Sequence, residues 1–585
     1  MIDDRTPVLV GAAQWCGDRH PVAPHGPVDV LEDLARRAGA PSELDAVVVT
    51  ALHGWEDRDP VATLARRLGV TPRLSVLAET GGESGVRAVN FVAERIAAGE
   101  LDAALVVGCN LRAHTRRLDD DLVPGPPPGS FAAPDPVPWS PIEEAHEILF
   151  PNTVYPMWEN ARRAHLGLDL DAHAARLGAL MQPFTEVAAR NPYAWFPTAR
   201  AADELVTPTP ANRMVSFPYP KYLNAVRTDQ GAALVVLSAG RARALGVPVD
   251  EWVYWWGGAH AGERHWWWTT RPSFTTSPGM VRSNQGALAA AGIDVDDVSA
   301  FDLYSCFSIA VSMACDSIGV DERDPRPFTI TGGLPYAGGP GSAYTLQAIA
   351  TAVDRLRERP DERILVTGNG MYFTKHAAAV LSGVPRATEP RPRPAAGPEG
   401  AAVEVVPDGR GPGTIETYTV LHDRDGGAER GVAVGRLDDG RRSSPTSTTT
   451  CSSTSRRPRA SGAGASWPTT CSAVDVERQR LHERVARLVV GPPGRAVGQR
   501  LHQALADGEA ADELEDDGSE ARSLLLGRDH LVDEVLPETT HHALALGQRL
   551  DGVRGGARVL GEVEQHLHVG EELGSAVVRP DHIGQ

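Results

Sequence analysis

Long apolar runs are missing from these 585 residues. No stretch approaches the ~18 apolar residues that cross a bilayer, so no membrane span is expected. Cysteine is sparse: Cys16, Cys109, Cys306, Cys315, Cys451 and Cys471 are the only six. None shows C-x-x-C spacing, which argues against a metal knuckle or a disulfide framework and for a reducing cytoplasm. Lysine is rarer still, with Lys221 and Lys375 alone. A formal net charge of −19 leaves no basic face for a nucleic acid. The opening Met1-Ile2-Asp3-Asp4-Arg5 has no basic flank leading into an apolar run, so no secretory signal is expected.

What is present reads as a soluble globular chain, 42% apolar and 23% charged, long enough for two to four domains. Up to about residue 385, short β-branched runs alternate with helical spacing. Pro7-Val-Leu-Val-Gly11 and Ala46-Val-Val-Val-Thr50 read as buried strands, with a helix over 28–37 between them. The pattern predicts an α/β architecture on a mainly parallel sheet. From 110 to 220 it loosens into an insertion with an irregular loop at 124–129. The insertion also holds a helix carrying Leu177, Leu180, Met181, Phe184 and Val187 on one face, which Asp171 would cap and Pro183 would kink or break. After a proline-rich link (389–394), 402–407 and 413–420 alternate with period two, and 431–440 reads as two more β elements, a β domain begun but not completed. From Cys451 onward there is no Lys, Phe, Tyr or Met, and Trp467 is the lone aromatic. Such a stretch makes a poor core. It reads as a low-complexity tail with helical spacing over 476–490, or as translation in a shifted frame. The expected division is 1–240, 241–385, 386–442 and 443–585.

Two stretches repeat each other. Gly81-Gly82-Glu83-Ser84 opens a helix leading to the strand 103–110; Gly338-Gly339-Pro340-Gly341 opens another leading to 363–370. Paired glycines let a backbone approach a ligand closely, and the helix that follows offers unpaired N–H groups to an oxyanion or thiolate. The simplest account is a duplicated α/β half.

In this setting the chain resembles the thiolase superfamily, and within it the sterol-carrier-type branch. Gly82-Glu-Ser-Gly-Val-Arg-Ala-Val89 is similar to the family's C-G/S-x-G-x-x-A block. Thr228-Asp-Gln-Gly-Ala-Ala-Leu234 is similar to its D-G-A-A strand, and Asp302-Leu-Tyr-Ser-Cys-Phe307 to its H-D-C-F motif. Gly332 to Gly341 resembles G-G…G-H-P-x-G, and Val366-Thr-Gly-Asn-Gly370 stands where the family has C-x-G-G-G. The likeness spans about residues 5–385 and is nearest to actinobacterial thiolase-like proteins of type 1, which carry an additional C-terminal β domain. It implies a duplicated, five-layered αβαβα thiolase fold with a loop insertion and a partial C-terminal β domain. It also implies acyl-CoA as substrate or ligand, with coenzyme A part of the substrate and no separate cofactor or metal. A homodimer or tetramer would be usual, although an added β domain would obstruct that contact.

The departures bear on function. The family's nucleophilic cysteine falls at Gly82, which has no side chain to acylate. Its oxyanion histidine falls at Gly339, its acid/base cysteine at Val366, and the His and Asp of H-D-C-F at Tyr304 and Ser305. Cys306 keeps its identity and is the leading candidate for general acid/base or nucleophile; at a strand-to-helix junction its pKa would be lowered, or it is a small buried hydrophobe. Tyr304 is a second candidate acid/base group, needing a charged or hydrogen-bonding neighbour; the plain alternative is packing. Asn369 and His376 follow the last strand as candidate carbonyl donor and proton carrier. Lys375 is a candidate phosphate contact, or lies with His376 as a solvated surface pair. Glu83 and Ser84, with Gly82, Gly338, Gly339 and Gly368, would border the thioester, Ser84 serving as helix cap. Trp252, Trp255, Trp256, Trp266, Trp267 and Trp268 read as a packed junction between halves, or as the lining of an acyl tail.

Three functions compete: an acetyl-CoA acetyltransferase-like enzyme of lipid metabolism with thiolysis lost or altered, a carbon–carbon lyase working a retro-aldol on a CoA thioester through Tyr304, and a non-catalytic CoA-ester or lipid-binding protein.

Overall fold

The computed structural model describes residues 2–17, 26–50, 59–111, 137–392, 399–407, 409 and 411–443, with the backbone of 446–448. The 124–129 loop, the last two residues of the link and the tail from 449 with its 476–490 helix lie outside the described residues. The strands are β1 (Pro7–Cys16), β2 (Ala46–Val49), β3 (Leu74–Leu77), β4 (Ala103–Asn110), β5 (Met214–Ser216), β6 (Tyr219–Pro220), β7 (Gln230–Ser238), β8 (Val253–Gly262), β9 (Ala300–Asp302), β10 (Arg363–Gly370), β11 (Lys375–Ser382), β12 (Val405–Val406), β13 (Gly413–His422), β14 (Ala428–Leu437), β15 (Arg442–Ser443) and β16 (Thr446–Thr448). The helices are α1 (Pro27–Arg37), α2 (Pro60–Leu68), α3 (Ser84–Ala97), α4 (Pro141–Ala145), α5 (Pro151–His165), α6 (Leu170–Ala188), α7 (Ala202–Val206), α8 (Ala239–Ala244), α9 (Pro278–Ala291), α10 (Ser308–Ile318) and α11 (Tyr344–Glu358).

Nine strands form one sheet in the order β3-β2-β4-β7-β1-β8-β11-β10-β9. The sheet is mixed, not mainly parallel. β2 runs parallel to β3 and β4, and β9 to β10, but each pair from β4 through β7, β1, β8 and β11 to β10 is antiparallel. The misreading has a physical cause: central strands buried on both faces are apolar throughout, whichever way they run. Period-two alternation instead sorts each strand between two cores. Ala104 and Val106 of β4, Leu234 and Val236 of β7, and Ala377 and Ala379 of β11 face the inner core with Val89 of α3 and Leu346 of α11. Their neighbours Leu105, Val235 and Ala378 face the outer core with Leu31 of α1 and Ala287 of α9. The path β1-α1-β2…α3-β4-β7 is thus repeated by β8-α9-β9…α11-β10-β11, with α3 and α11 packed between the two sets of strands. Gly85 makes this packing possible, because a Cβ there would stand 2.6 Å from Thr345 Oγ1 and 2.8 Å from the Leu346 nitrogen.

The insertion supplies α4 to α7 and the short strands β5 and β6. α6 buries Leu177, Leu180, Met181 and Phe184 and leaves Val187 half-buried. It does not break at Pro183, running on to Ala188, and the cap is not Asp171 but Asp169, whose Oδ1 accepts from the Ala172 nitrogen at 2.8 Å. Asp171 lies in the first turn, where its charge suits the helix dipole without capping. Asp169→Ala is therefore expected to cost about 1 kcal/mol in a urea titration and Asp171→Ala a few tenths; equal losses would contradict this cap.

The second sheet runs β12-β15-β14-β13-β5-β6, with β16 also on β14. The 431–440 segment gives one long strand, β14, and part of the turn after it, in place of two β elements. Arg442, fully buried, holds this sheet to the body: Nε meets Glu416 Oε2 at 2.5 Å and Nη1 donates to the carbonyls of Thr269 and Arg271. The tryptophans form no single cluster. Trp252 and Trp256 flank or lie on β8, Trp255 bonds Asn90, and Trp268 packs with Trp158 and Phe274, while Trp267 is 39% exposed. No helix among the described residues is long and apolar enough to cross a membrane.

Candidate functional site

The Gly81–Gly82 turn meets Ser342 and Thr345 where α3 and α11 begin. Ser342 Oγ accepts from the Gly81 nitrogen at 3.2 Å, and Thr345 Oγ1 both accepts from the Val86 nitrogen and donates to the Gly82 carbonyl, each at 3.1 Å. Tyr304, just beyond β9, closes over this junction. Its ring stands edge-on to Tyr344 with centroids 5.6 Å apart. The space that a side chain at residue 82 would need belongs to Tyr304: a Cβ built there would overlap Oη and Cζ, and it would lie 2.5 Å from the Asn369 carbonyl oxygen.

Glu83 is the N-cap residue of α3 and is fully buried; Ser84, expected as the cap, is the first helical residue, its hydroxyl without a hydrogen bond. Lys375 Nζ stands 3.0 Å from Glu83 Oε1 and donates to the Thr80 carbonyl at 2.7 Å. Lys375 is 6% exposed, so neither a phosphate contact nor a surface position describes it. Burial pushes the Glu83 carboxyl up to about 7; Lys375 opposes the rise and Glu79 adds to it. A carboxyl raised this way binds more protons folded than unfolded between its ordinary 4.5 and about 7, so stability falls as pH rises across that window. In Glu83→Gln this fall should disappear from urea midpoints taken from pH 4.5 to 7.5; an unchanged profile would mean that Glu83 does not titrate there.

Cys306 is buried against the Tyr155 hydroxyl, and burial pushes its thiol up to about 12. The expected lowering fails because α10 begins only at Ser308 and desolvation outweighs what its N-terminus offers. Tyr304 is held well above the ordinary phenol range by burial, then by the charges of Cys306 and Glu83. Asn369 is buried and its Nδ2 reaches Tyr155 Oη at 3.4 Å. Gly368 lets β10 approach, since a Cβ there would come within 2.5 Å of Glu83 Cα. His376 lies apart from these groups. Adjacent residues of a strand face opposite ways, so Lys375 turns towards α3, and His376 Nε2 lies 3.0 Å from the Phe373 carbonyl, 3.1 Å from Ser277 Oγ and 3.6 Å from Glu263. Gly338 and Gly339 also lie aside, the first against Gln230 and the second opposite Arg227 in an isolated bridge, its N–H donating to the Val226 carbonyl at 3.0 Å. Val366 is buried within β10.

Two features had no sequence signal. Met371, Tyr372 and Phe373, after Gly370, have φ of 50, 59 and 61°, a left-handed run costly for side-chain-bearing residues. Buried Arg271 holds it, donating to the Tyr372 carbonyl at 3.0 Å and to Thr374 Oγ1 at 2.8 Å. Its aromatic rings stand edge-on to Tyr155, which stacks on Phe307. The other feature is a charged network between α5, α6 and α10 centred on Glu159.

Comparison with known proteins bears on the family and the fold. Residues 394–463 match the family described as the thiolase-like protein type 1 additional C-terminal domain. The chain is similar to a crystal structure of a monomeric SCP2-thiolase like protein type 1 from Mycobacterium smegmatis, at 34% identity and a TM-score of 0.65, covering 76% of this chain and 92% of that one. It is similar in fold to the Ltp2-ChsH2(DUF35) aldolase, at 19% identity and 0.51, over 64% of this chain and 97% of that one. The dimeric peroxisomal thiolase of Saccharomyces cerevisiae gives 16% and 0.48, over 65% and 98%. No curated protein matches the chain.

Proposed function

Because the chain belongs to the SCP2-thiolase-like protein type 1 family, we propose that it engages an acyl-CoA thioester without ever forming an acyl-enzyme, thiolysis having been lost. The contact between Gly82 and Tyr304 carries this reading. A nucleophile at residue 82 is absent, and the volume it would occupy is filled by a phenol. Cys306 offers no replacement while burial keeps it a thiol at neutral pH. In the test, the protein is incubated with acetyl-CoA and with acetoacetyl-CoA plus CoA. Calorimetry should register binding, intact-mass spectra should show no acyl adduct, and no thiolysis should be detected. An acylated protein would overturn the proposal.

One observation favours a carbon–carbon lyase over a purely binding protein. Tyr304 is kept protonated next to a carboxyl poised near neutrality, a pairing of acid and base set apart by environment. Tyr304→Phe should then abolish cleavage and leave acyl-CoA binding intact; no wild-type cleavage across 3-hydroxyacyl-CoA thioesters would return the protein to the binding reading. The buried thiols and the acyl-CoA ligand support a cytoplasmic setting.

A further inference from the structure

The Glu83 carboxyl is built unlike a structural ion pair. Lys375, anchored on the Thr80 carbonyl, stands 3.0 Å from Oε1 as an ion pair, and neither carboxylate oxygen makes a hydrogen bond although the side chain is fully buried. Glycines form the walls: a Cβ on Gly81 or Gly370 would overlap the carboxyl oxygens. A pair kept for stability alone would satisfy both oxygens, because an unmade buried hydrogen bond is costly. The groups whose charge acts on it are Lys375, Glu79 and Tyr304; Glu79 is already paired with Arg87.

The geometry points to Glu83 as the proton acceptor of this site, with Lys375 as its positioning residue and a 3-hydroxyacyl-CoA thioester as the substrate class. This rests on the carbon–carbon lyase reading. Oε2 takes the proton of the 3-hydroxyl group, and the O–H electron pair becomes the new carbonyl. The bond between C2 and C3 breaks and its pair passes into the thioester enolate. The Tyr304 hydroxyl then protonates C2, and the proton on Glu83 returns to the Tyr304 phenolate. The products are an aldehyde or ketone and a shortened thioester, with no oxidant or reductant consumed. The carboxyl near 7 and the protonated phenol suit these roles at neutral pH.

The test uses the full chain, a panel of secondary and tertiary 3-hydroxyacyl-CoA thioesters, and the variants Glu83→Gln, Glu83→Asp and Lys375→Met. Wild type should release the carbonyl product. Glu83→Gln should lower kcat by about 10²–10⁴-fold with KM little changed and should lose the acidic limb of the pH profile. Glu83→Asp, which keeps the carboxyl and covers the case that Glu83→Gln does not fold, should retain the limb at reduced rate. Lys375→Met should move the limb to higher pH. If wild type cleaves and Glu83→Gln keeps its rate and pH profile, or Glu83→Asp lacks the limb, the role of Glu83 is overturned and the lyase reading stands. If wild type binds acyl-CoA and cleaves nothing in the panel, the lyase reading falls and takes this role with it.

Discussion

Gly82→Cys is expected to destabilise the protein by about 1–3 kcal/mol and to yield no acyl-enzyme, although it introduces the residue type that the resemblance to thiolases implies for a nucleophile there. The cost arises from crowding. The new Cβ would overlap the Tyr304 hydroxyl and ring edge and would press within 2.5 Å of the Asn369 carbonyl oxygen in β10. Tyr304 has little freedom to retreat, being buried and held edge-on against Tyr344, which is itself bonded to Thr331 and Asp302. Tyr304→Ala in the same chain removes two of the three conflicts. The double variant should therefore be less destabilised than the sum of the two single ones, with a coupling of about 1–2 kcal/mol in a four-chain urea cycle. Strict additivity would mean that the two residues do not compete for space. Acylation of the double variant alone would show that the glycine and the tyrosine together account for the lost nucleophile.

Much of this arrangement could be read in the sequence where the signal is local. The glycine turns at 81 and 338 announce close backbone approach, and runs such as Ala46-Val-Val-Val mark strands buried on both faces. The same runs hide strand direction, which is why a mixed sheet reads as parallel. The Lys375–His376 error came from reading both as following the last strand, whereas they open β11, on which neighbours point to opposite faces and cannot both serve one site. The Cys306 error has another cause: whether a helix end or burial governs a thiol depends on residues such as Tyr155 that arrive from 151 positions away in the chain. Glu83 carried a partial signal as an acid at a helix start. Its partner Lys375 and its walls Gly368 and Gly370 come from the other repeat, and nothing near residue 83 foretells them.

The largest loss of stability is expected from Glu159→Ala, about 3–5 kcal/mol by chemical denaturation. Glu159 is fully buried on α5. Its Oε2 accepts from Tyr219 Oη at 2.6 Å and Ser308 Oγ at 2.9 Å; its Oε1 faces Arg176 at 3.2 Å and His173 at 3.4 Å. Arg176 also meets Glu322, which lies 3.0 Å from Arg162, so one set of charges joins the insertion to α10 and the segment after it. Burial works against ionised Glu159, yet His173, Arg176 and the two hydroxyls hold it below the usual carboxylate range. His173 is itself pushed below 6.5 by burial, so near neutrality Arg176 supplies the compensating charge. Both shifts have the same sign in stability. The unfolded chain binds a proton at His173 below about 6.5 and at Glu159 below about 4.5 before the folded chain does, so stability is present above these values and drains away as pH falls. Truncating Glu159 leaves Arg176 partly unpaired in the interior, whereas Glu159→Met with Arg176→Leu removes both buried charges and should cost less than the two single changes added. Below about 4.5, where Glu159 itself titrates, the acid-side decline should also become shallower in Glu159→Ala; a loss under 1 kcal/mol with an unchanged acid limb there would show that the network carries no net energy.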